Sequence, residues 1–184
     1  MSIWNMTNRT KTYLAGDWTG DKDAIQIIKK WNESDNYGLT FRDVHELTNS
    51  SDDSLNCSIK RSLRQRMSIS KTFILVVGDK TTSLRSGACS ANCSAYNQSY
   101  WGPSCRRGNR IDNKSYVQYE CELAKEAGIK IVILYNSAKV DKSKCPELLR
   151  YTGIHLPMIV YEKDAYGYNK PFWNYREIKK AIMG

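Results

Sequence analysis

The sequence predicts an α/β fold, a flavodoxin-like three-layer arrangement built on a five-stranded parallel sheet. Two apolar runs, residues 72–77 (TFILVV) and 129–135 (IKIVILY), are almost unbroken, as strands covered on both faces require. Amphipathic helical patterns alternate with the strand-like runs, the signature of strand–helix–strand units. At 184 residues the chain can bury one sizeable core. It carries neither an internal repeat nor a composition break, so one domain is expected, with its core over residues 10–184.

The first strand is expected at residues 12–15 (TYLA). The helix after it has one apolar face, Ala24, Ile27, Ile28 and Trp31, with Asp21 or Asp23 placed to cap it. A short second strand follows at 39–41. The next helix comes after residues 51–53, repeats Leu55, Ile59, Leu63 and Met67 at helical spacing, and leads into the third strand at 72–77. Residues 80–113 are rich in Ser, Asn, Gly and Cys and show no period. Such an insertion is either a lid or partner-binding segment, or disordered. Residues 115–128 form the third helix, closed by Gly128, ahead of the fourth strand at 129–135. A turn at 146–151 stands in for a fourth helix, the fifth strand covers 156–161, and residues 172–183 form the last helix.

Within the third helix one residue is out of place. At about 100° per residue, Tyr116, Val117, Cys121, Leu123, Ala124 and Ala127 share one arc, and Gln118, Glu122, Lys125 and Glu126 share the other. Glu120 falls among the apolar set. An unpaired carboxylate is costly to bury, so Glu120 is either half of an ion pair or a site residue. Ligands of such sheets bind beyond the carboxyl ends of the strands. That edge carries the start of the Glu120 helix, the loop Gly16-Asp17-Trp18 and the loop Arg42-Asp43-Val44-His45.

The net charge of +9 raises the question of nucleic acid. Basic clusters occur at 60–66 (KRSLRQR) and 106–110 (RRGNR). In the first, the basic residues interleave with Ser58, Ser62 and Gln65 opposite the apolar stripe, which reads as a solvated helix face and argues against a nucleic-acid surface. Positive charge also draws small anionic ligands such as nucleotides. Of the six cysteines, Cys57 and Cys121 fall on or beside apolar helix faces and read as core. Cys89, Cys93 and Cys105 share the insertion, but their C-x3-C-x11-C spacing with no neighbouring His is a poor zinc pattern, and no metal is expected. The chain has no apolar run of membrane-spanning length and no signal-like start, so a cytoplasmic, reducing location is expected, without disulfides and without membrane contact. A Walker loop, a G-x-G-x-x-G and a Ser-His-Asp arrangement are all missing.

Taken in order, the first strand KTYLAGDW, the second-strand exit FRD, SIKRSLRQRMSISKTFILVVGDKT and SYVQYECELAKEAGIKIVILY resemble the TIR-like family typified by the Thoeris defence protein ThsB, over roughly residues 11–136. The resemblance implies a flavodoxin-like fold and a signalling or defence role. It also implies cleavage of NAD at its nicotinamide–ribose bond to a linear or cyclic ADP-ribose product, with Glu120 as the catalytic glutamate. NAD would then be a substrate, and no cofactor is expected. The Pro-Gly usual after Arg42-Asp43 and the aromatic-rich first strand of animal TIR domains are absent. The first strand is also similar to that of nucleoside 2-deoxyribosyltransferases.

That chemistry asks for a carboxylate beneath an oxocarbenium-like carbon, with a neutral leaving group that needs no strong acid. Asp17 and Trp18 are candidates to hold ribose hydroxyls and stack on a ring, Asp43 to orient ribose, and Tyr116 to contact substrate. Packing for Trp18, Tyr116 and Tyr119, and capping for Asp43, are the structural alternatives. Two other functions stay open: a non-catalytic TIR-like interaction module with a protein partner or self-association, and a nucleoside or nucleotide N-glycosidase.

Overall fold

A computed structural model describes residues 9–39, 41 and 55–184. Its centre is a parallel sheet of four strands in the order β1 (Lys11–Ala15), β2 (Ser70–Val77), β5 (Lys130–Tyr135) and β6 (Ile154–Pro157). This is α/β and consistent with a flavodoxin-like arrangement, but among the described residues the parallel sheet has four strands where five were expected. Leu39 and Phe41, expected in the second strand, belong to no strand, and Thr40 lies outside the described residues. Leu39 is nonetheless fully buried, so its apolar signal reports core packing rather than pairing.

Strand residues alternate between two cores, because successive side chains point to opposite faces. Tyr13, Phe73, Leu75, Ile133 and Tyr135 face one side, where α2 (Asn56–Ser68) and α4 (Tyr116–Glu126) cover them through Leu63, Met67, Val117, Cys121 and Ala124. Leu14, Ile74, Val76, Val132 and Leu134 face the other, under α1 (Lys22–Glu33) and α5 (Tyr175–Met183). The third layer follows from burying both faces of β2 and β5.

Helix α4 is strongly delimited. Ser115 accepts from the Gln118 amide while the Gln118 side chain accepts from the Ser115 amide, a reciprocal cap that satisfies two otherwise orphaned donors. Gly128 closes it at φ +60°, a left-handed conformation that costs Gly little. Helix α1 starts after Asp21 as expected, but that side chain caps nothing. Its carboxylate instead accepts from Asn136 Nδ2 at 3.1 Å, just past the end of β5.

The expected strand at 156–161 divides at Met158. Its first part is β6, and its second is β7 (Ile159–Lys163), which leaves the sheet to pair antiparallel with β8 (Asn169–Trp173). The fourth helix shrinks to a 3-10 turn at Glu147–Leu149, and the last helix starts at Tyr175 because Phe172 belongs to β8. The insertion also has local structure: a 3-10 turn at Thr81–Ser83, a one-turn α3 (Cys89–Asn92), and a hairpin of β3 (Tyr96–Ser99) and β4 (Gly102–Cys105).

What anchors the insertion corrects the reading of residues 60–66 as a solvated face at Lys60, while Arg61, Arg64 and Gln65 are exposed as that reading expects. The stripe that α2 buries is Asn56, Lys60, Leu63 and Met67. Lys60 is 5% exposed; its Nζ lies 3.0 Å from Asp112 Oδ2 and donates to the Lys114 carbonyl at 2.8 Å. Asn56 donates to the Ala88 carbonyl and to Asn92 Oδ1, both at 3.1 Å. Two polar side chains on the inner stripe thus hold a segment that has little apolar content of its own.

Truncating Lys60 would strand Asp112 and two carbonyls, so Lys60→Ala should lower stability by about 2 kcal/mol. In hydrogen exchange the amides of residues 88–93 and 109–114 should lose protection before those of β2 and β5. Asp21 gives a pH prediction. Burial, helped by the nearby Asp17, Asp23 and Asp79, raises its pKa despite the Asn136 bond. A carboxyl with a folded pKa above its unfolded one binds more protons when folded, so its contribution to stability declines as pH rises from the ordinary carboxylate value to the raised one. In Asp21→Asn, denaturant unfolding should show that segment of the stability–pH curve flattened.

Candidate functional site

A cleft of about 350 Å³ opens at the carboxyl edge of the sheet. The loop after β1 supplies Gly16, Asp17, Trp18 and Thr19. One face of α2 supplies Ile59, Ser62, Leu63 and Arg66, the insertion supplies Leu84 and Ser86, and the start of α4 supplies Ser115, Tyr116, Val117 and Glu120. Four of the five residues expected at the site therefore meet around one concavity. The fifth, Asp43, lies outside the described residues, as does His45.

Glu120 is 6% exposed, its side chain sunk between β1 and α2. Tyr13, fully buried on β1, donates its hydroxyl to Glu120 Oε1 at 2.7 Å. A hydroxyl-to-carboxylate bond of this length is of the stronger, charge-assisted kind when the carboxyl is ionised, and it fixes one oxygen. Tyr13 is itself held by its ring, 5.8 Å from that of Phe73 on the neighbouring strand. The carboxylate is thus set by a residue of the sheet rather than by a mobile loop.

Asp17 and Trp18 form the rim. The Thr19 amide donates to Asp17 Oδ1 at 3.0 Å, so that carboxylate shapes its own turn. Trp18 stands 42% exposed, with Lys29 Nζ of α1 4.7 Å from its ring centre.

Tyr116 is tied on all sides. Its amide donates to the Ser86 carbonyl at 2.7 Å, and its hydroxyl donates to Asn56 Oδ1 at 3.0 Å. Its ring passes so close to Gly87 that a Cβ there would lie 2.5 Å from it; Gly87, at φ +95°, is the residue type that allows this approach. Burial pushes the phenol up to about 12, which keeps it protonated. Its ring therefore lines the cleft as a wall. Tyr119 turns away, its hydroxyl accepting from Arg64 Nε at 3.2 Å.

Two residues of the site were not singled out from the sequence: Tyr13, which lies behind the cleft and holds Glu120, and Arg66, which lines it. Tyr13 sat inside a strand pattern in which a tyrosine is an ordinary core residue. Arg66 sat inside a basic cluster, yet Ile59, Leu63 and Arg66 are spaced i, i+4, i+7, so helical phase alone places it on the inner face. It adds a half-buried guanidinium to the cleft. Next to the cleft, Asp17, Asp21 and Asp79 line a small crevice with Asn136. Among the described residues no group of three or more His, Cys, Asp or Glu is arranged to hold a metal ion. Nor is any described helix long and apolar enough to cross a membrane.

No curated protein matches the chain. The family model for the TIR-like domain of the Thoeris protein ThsB matches residues 13–86. The matched stretch includes β1 from Tyr13 onward, α1, α2, β2 and the beginning of the insertion, with Tyr13, Asp17, Trp18 and Arg66; it ends before α4, so Glu120 lies beyond it. Over residues 13–86, therefore, the chain is similar to the TIR-like domain of the Thoeris protein ThsB.

Proposed function

We propose that this chain is a TIR-like signalling or defence protein that cleaves NAD at the nicotinamide–ribose bond and releases an ADP-ribose-type product. The observation that carries the reading is the buried Glu120 carboxylate, oriented by Tyr13 and set in a cleft that reaches Asp17, Trp18 and Arg66. The similarity of residues 13–86 to a TIR-like domain supports the signalling or defence role.

The proposed mechanism is electrostatic. As the glycosidic bond lengthens, positive charge builds on the ribose ring, and a fixed carboxylate in a site of low polarity stabilises that charge more than water would. Nicotinamide departs as a neutral base. Glu120 sits beneath the reacting carbon, with the Tyr13 hydroxyl holding its Oε1. Asp17 receives ribose hydroxyls, the exposed face of Trp18 stacks on a ring, and Arg66 is the cation suited to the diphosphate. A cleft of about 350 Å³ suits the nicotinamide–ribose half of the dinucleotide, the remainder extending past the rim. An internal hydroxyl or water completes the reaction, giving a cyclic or a linear product.

A second reading, a non-catalytic interaction module, has its own support in the hairpin tip. Tyr100 is 95% and Trp101 92% exposed, and the two rings stack edge-on at 5.5 Å. Exposed aromatic pairs of this kind are typical anchors of protein interfaces. The alternative of a nucleoside N-glycosidase uses the same carboxylate and differs only in substrate.

The deciding measurement is nicotinamide release from NAD by the full chain, with deoxynucleosides assayed in parallel. Glu120→Gln should lower turnover by about a hundredfold or more, and equal release from both forms would remove Glu120 from the mechanism. Tyr13→Phe keeps the ring and loses the hydroxyl. It should lower kcat by about tenfold with KM nearly unchanged, since Tyr13 acts through Glu120 and not on bound substrate.

A further inference from the structure

The two basic clusters of the sequence converge on a second concavity. A groove of about 940 Å³ runs between α2, the chain at 109–114 and the first turns of α4. It shares no lining residue with the Glu120 cleft. Ile59, Leu63 and Arg66 of α2 face the cleft, whereas Lys60, Arg61 and Arg64 face the groove. Across from them stands Arg110, from the second cluster.

The charge of the groove is one-sided. Five cationic side chains line it, Lys60, Arg61, Arg64, Arg110 and Lys114, against the single carboxylate of Asp112. Two of the five are matched: Lys60 by Asp112 at 3.0 Å, and Lys114 by Glu122 at 2.6 Å. Arg64 has Glu126 only at 4.0 Å, an exposed pair that solvent screens. Arg61 and Arg110 are exposed, and among the described residues neither has an acidic partner. Unmatched like charges around a concave surface repel one another and focus a positive field on whatever enters it.

We propose that this groove binds a nucleoside polyphosphate, its phosphates held by Arg61, Arg64 and Arg110 and its base laid against Tyr119 and Ile111. Arg61 and Arg64 are three positions apart on α2 and so stand side by side on one face. Arg64 Nε donates to the Tyr119 hydroxyl at 3.2 Å, which fixes the guanidinium and leaves its terminal nitrogens for other acceptors. The paired N–H groups of a guanidinium match phosphate oxygens, and cations on two walls suit a chain of phosphates better than one. Tyr119 and Ile111, both half-buried, give the groove the apolar surface that a base needs. Its volume lies within the range of small-molecule sites. The wall at 109–114 is tied to α2 through Lys60, so a bound ligand bridges two elements that the protein already joins.

The site stands apart from Glu120 and is tested without reference to NAD cleavage. The full chain is titrated calorimetrically with ATP, and with pyrophosphate, adenosine and a single-stranded oligonucleotide in parallel. ATP should bind saturably, pyrophosphate should displace it, and adenosine should bind about tenfold more weakly or less. The double variant Arg61→Ala/Arg110→Ala should weaken ATP by about tenfold or more, while Arg61→Lys/Arg110→Lys, which keeps the charge and loses the fork, falls between. Lys139→Ala/Lys163→Ala removes the same charge from other exposed positions and should leave the affinity unchanged. In hydrogen exchange of the wild type, ATP should slow the amides of residues 109–114, a readout that needs no variant to fold. Absence of saturable ATP binding, equal affinity in Arg61→Ala/Arg110→Ala, or protection confined to residues 16–19 and 84–86 of the Glu120 cleft overturns the proposal. So does an oligonucleotide that binds through Arg61 and Arg110 while ATP does not.

Discussion

The bond from the Tyr13 hydroxyl to Glu120 joins residues 107 positions apart and ties the first strand to the fourth helix. Everything around the cleft is arranged to allow it. Tyr13 must point to the face of the sheet that α2 and α4 cover, which the strict two-residue alternation of β1 provides. Helix α4 must start close to the carboxyl edge, which the Ser115–Gln118 cap and the Tyr116–Ser86 backbone bond enforce. The arrangement brings a carboxyl group to 6% exposure in a layer otherwise filled by Val117, Cys121 and Leu123. A carboxylate in such surroundings is unfavourable unless it is met by donors, and the sheet supplies one of them.

The layers of this fold were legible because they rest on periodicity. Apolar runs at β2 and β5, and the stripes of α1 and α4, state their burial directly in sequence. The second strand and the unity of residues 156–161 were misread for one reason: apolarity was equated with pairing. Leu39 is buried without belonging to a strand, and past Met158 the chain turns out of the sheet into a hairpin closed at Asp164–Gly167, a local turn that the reading of 156–161 as one strand passed over. Glu120 stood out by helical phase, and Asp17 and Trp18 by their place at a strand end. The same phase argument applied to α2 would have placed Lys60 and Arg66 inward. Composition hid them, since a run of basic residues suggests solvent while position decides burial. Tyr13 had no signal at all, because its role exists only through a partner far along the chain.

The two helices over this face divide the work unequally. Helix α4 contributes the carboxylate, whereas α2 contributes the wall and the anchorage. Ile59, Leu63 and Arg66 face the cleft, while Asn56 and Lys60 grip the insertion. Neither set is separable from the other, since they lie along adjacent stripes of a thirteen-residue helix.

The Lys60–Asp112 bridge turns α2 into a beam loaded at one end. Lys60 and Arg66 are six residues apart, about 9 Å along a stiff axis. The segment that bears on Lys60 also carries the outstretched aromatic tip at Tyr100 and Trp101. One rigid rod thus serves two neighbours: the insertion that bears the tip is bolted to the same helix that walls the chamber.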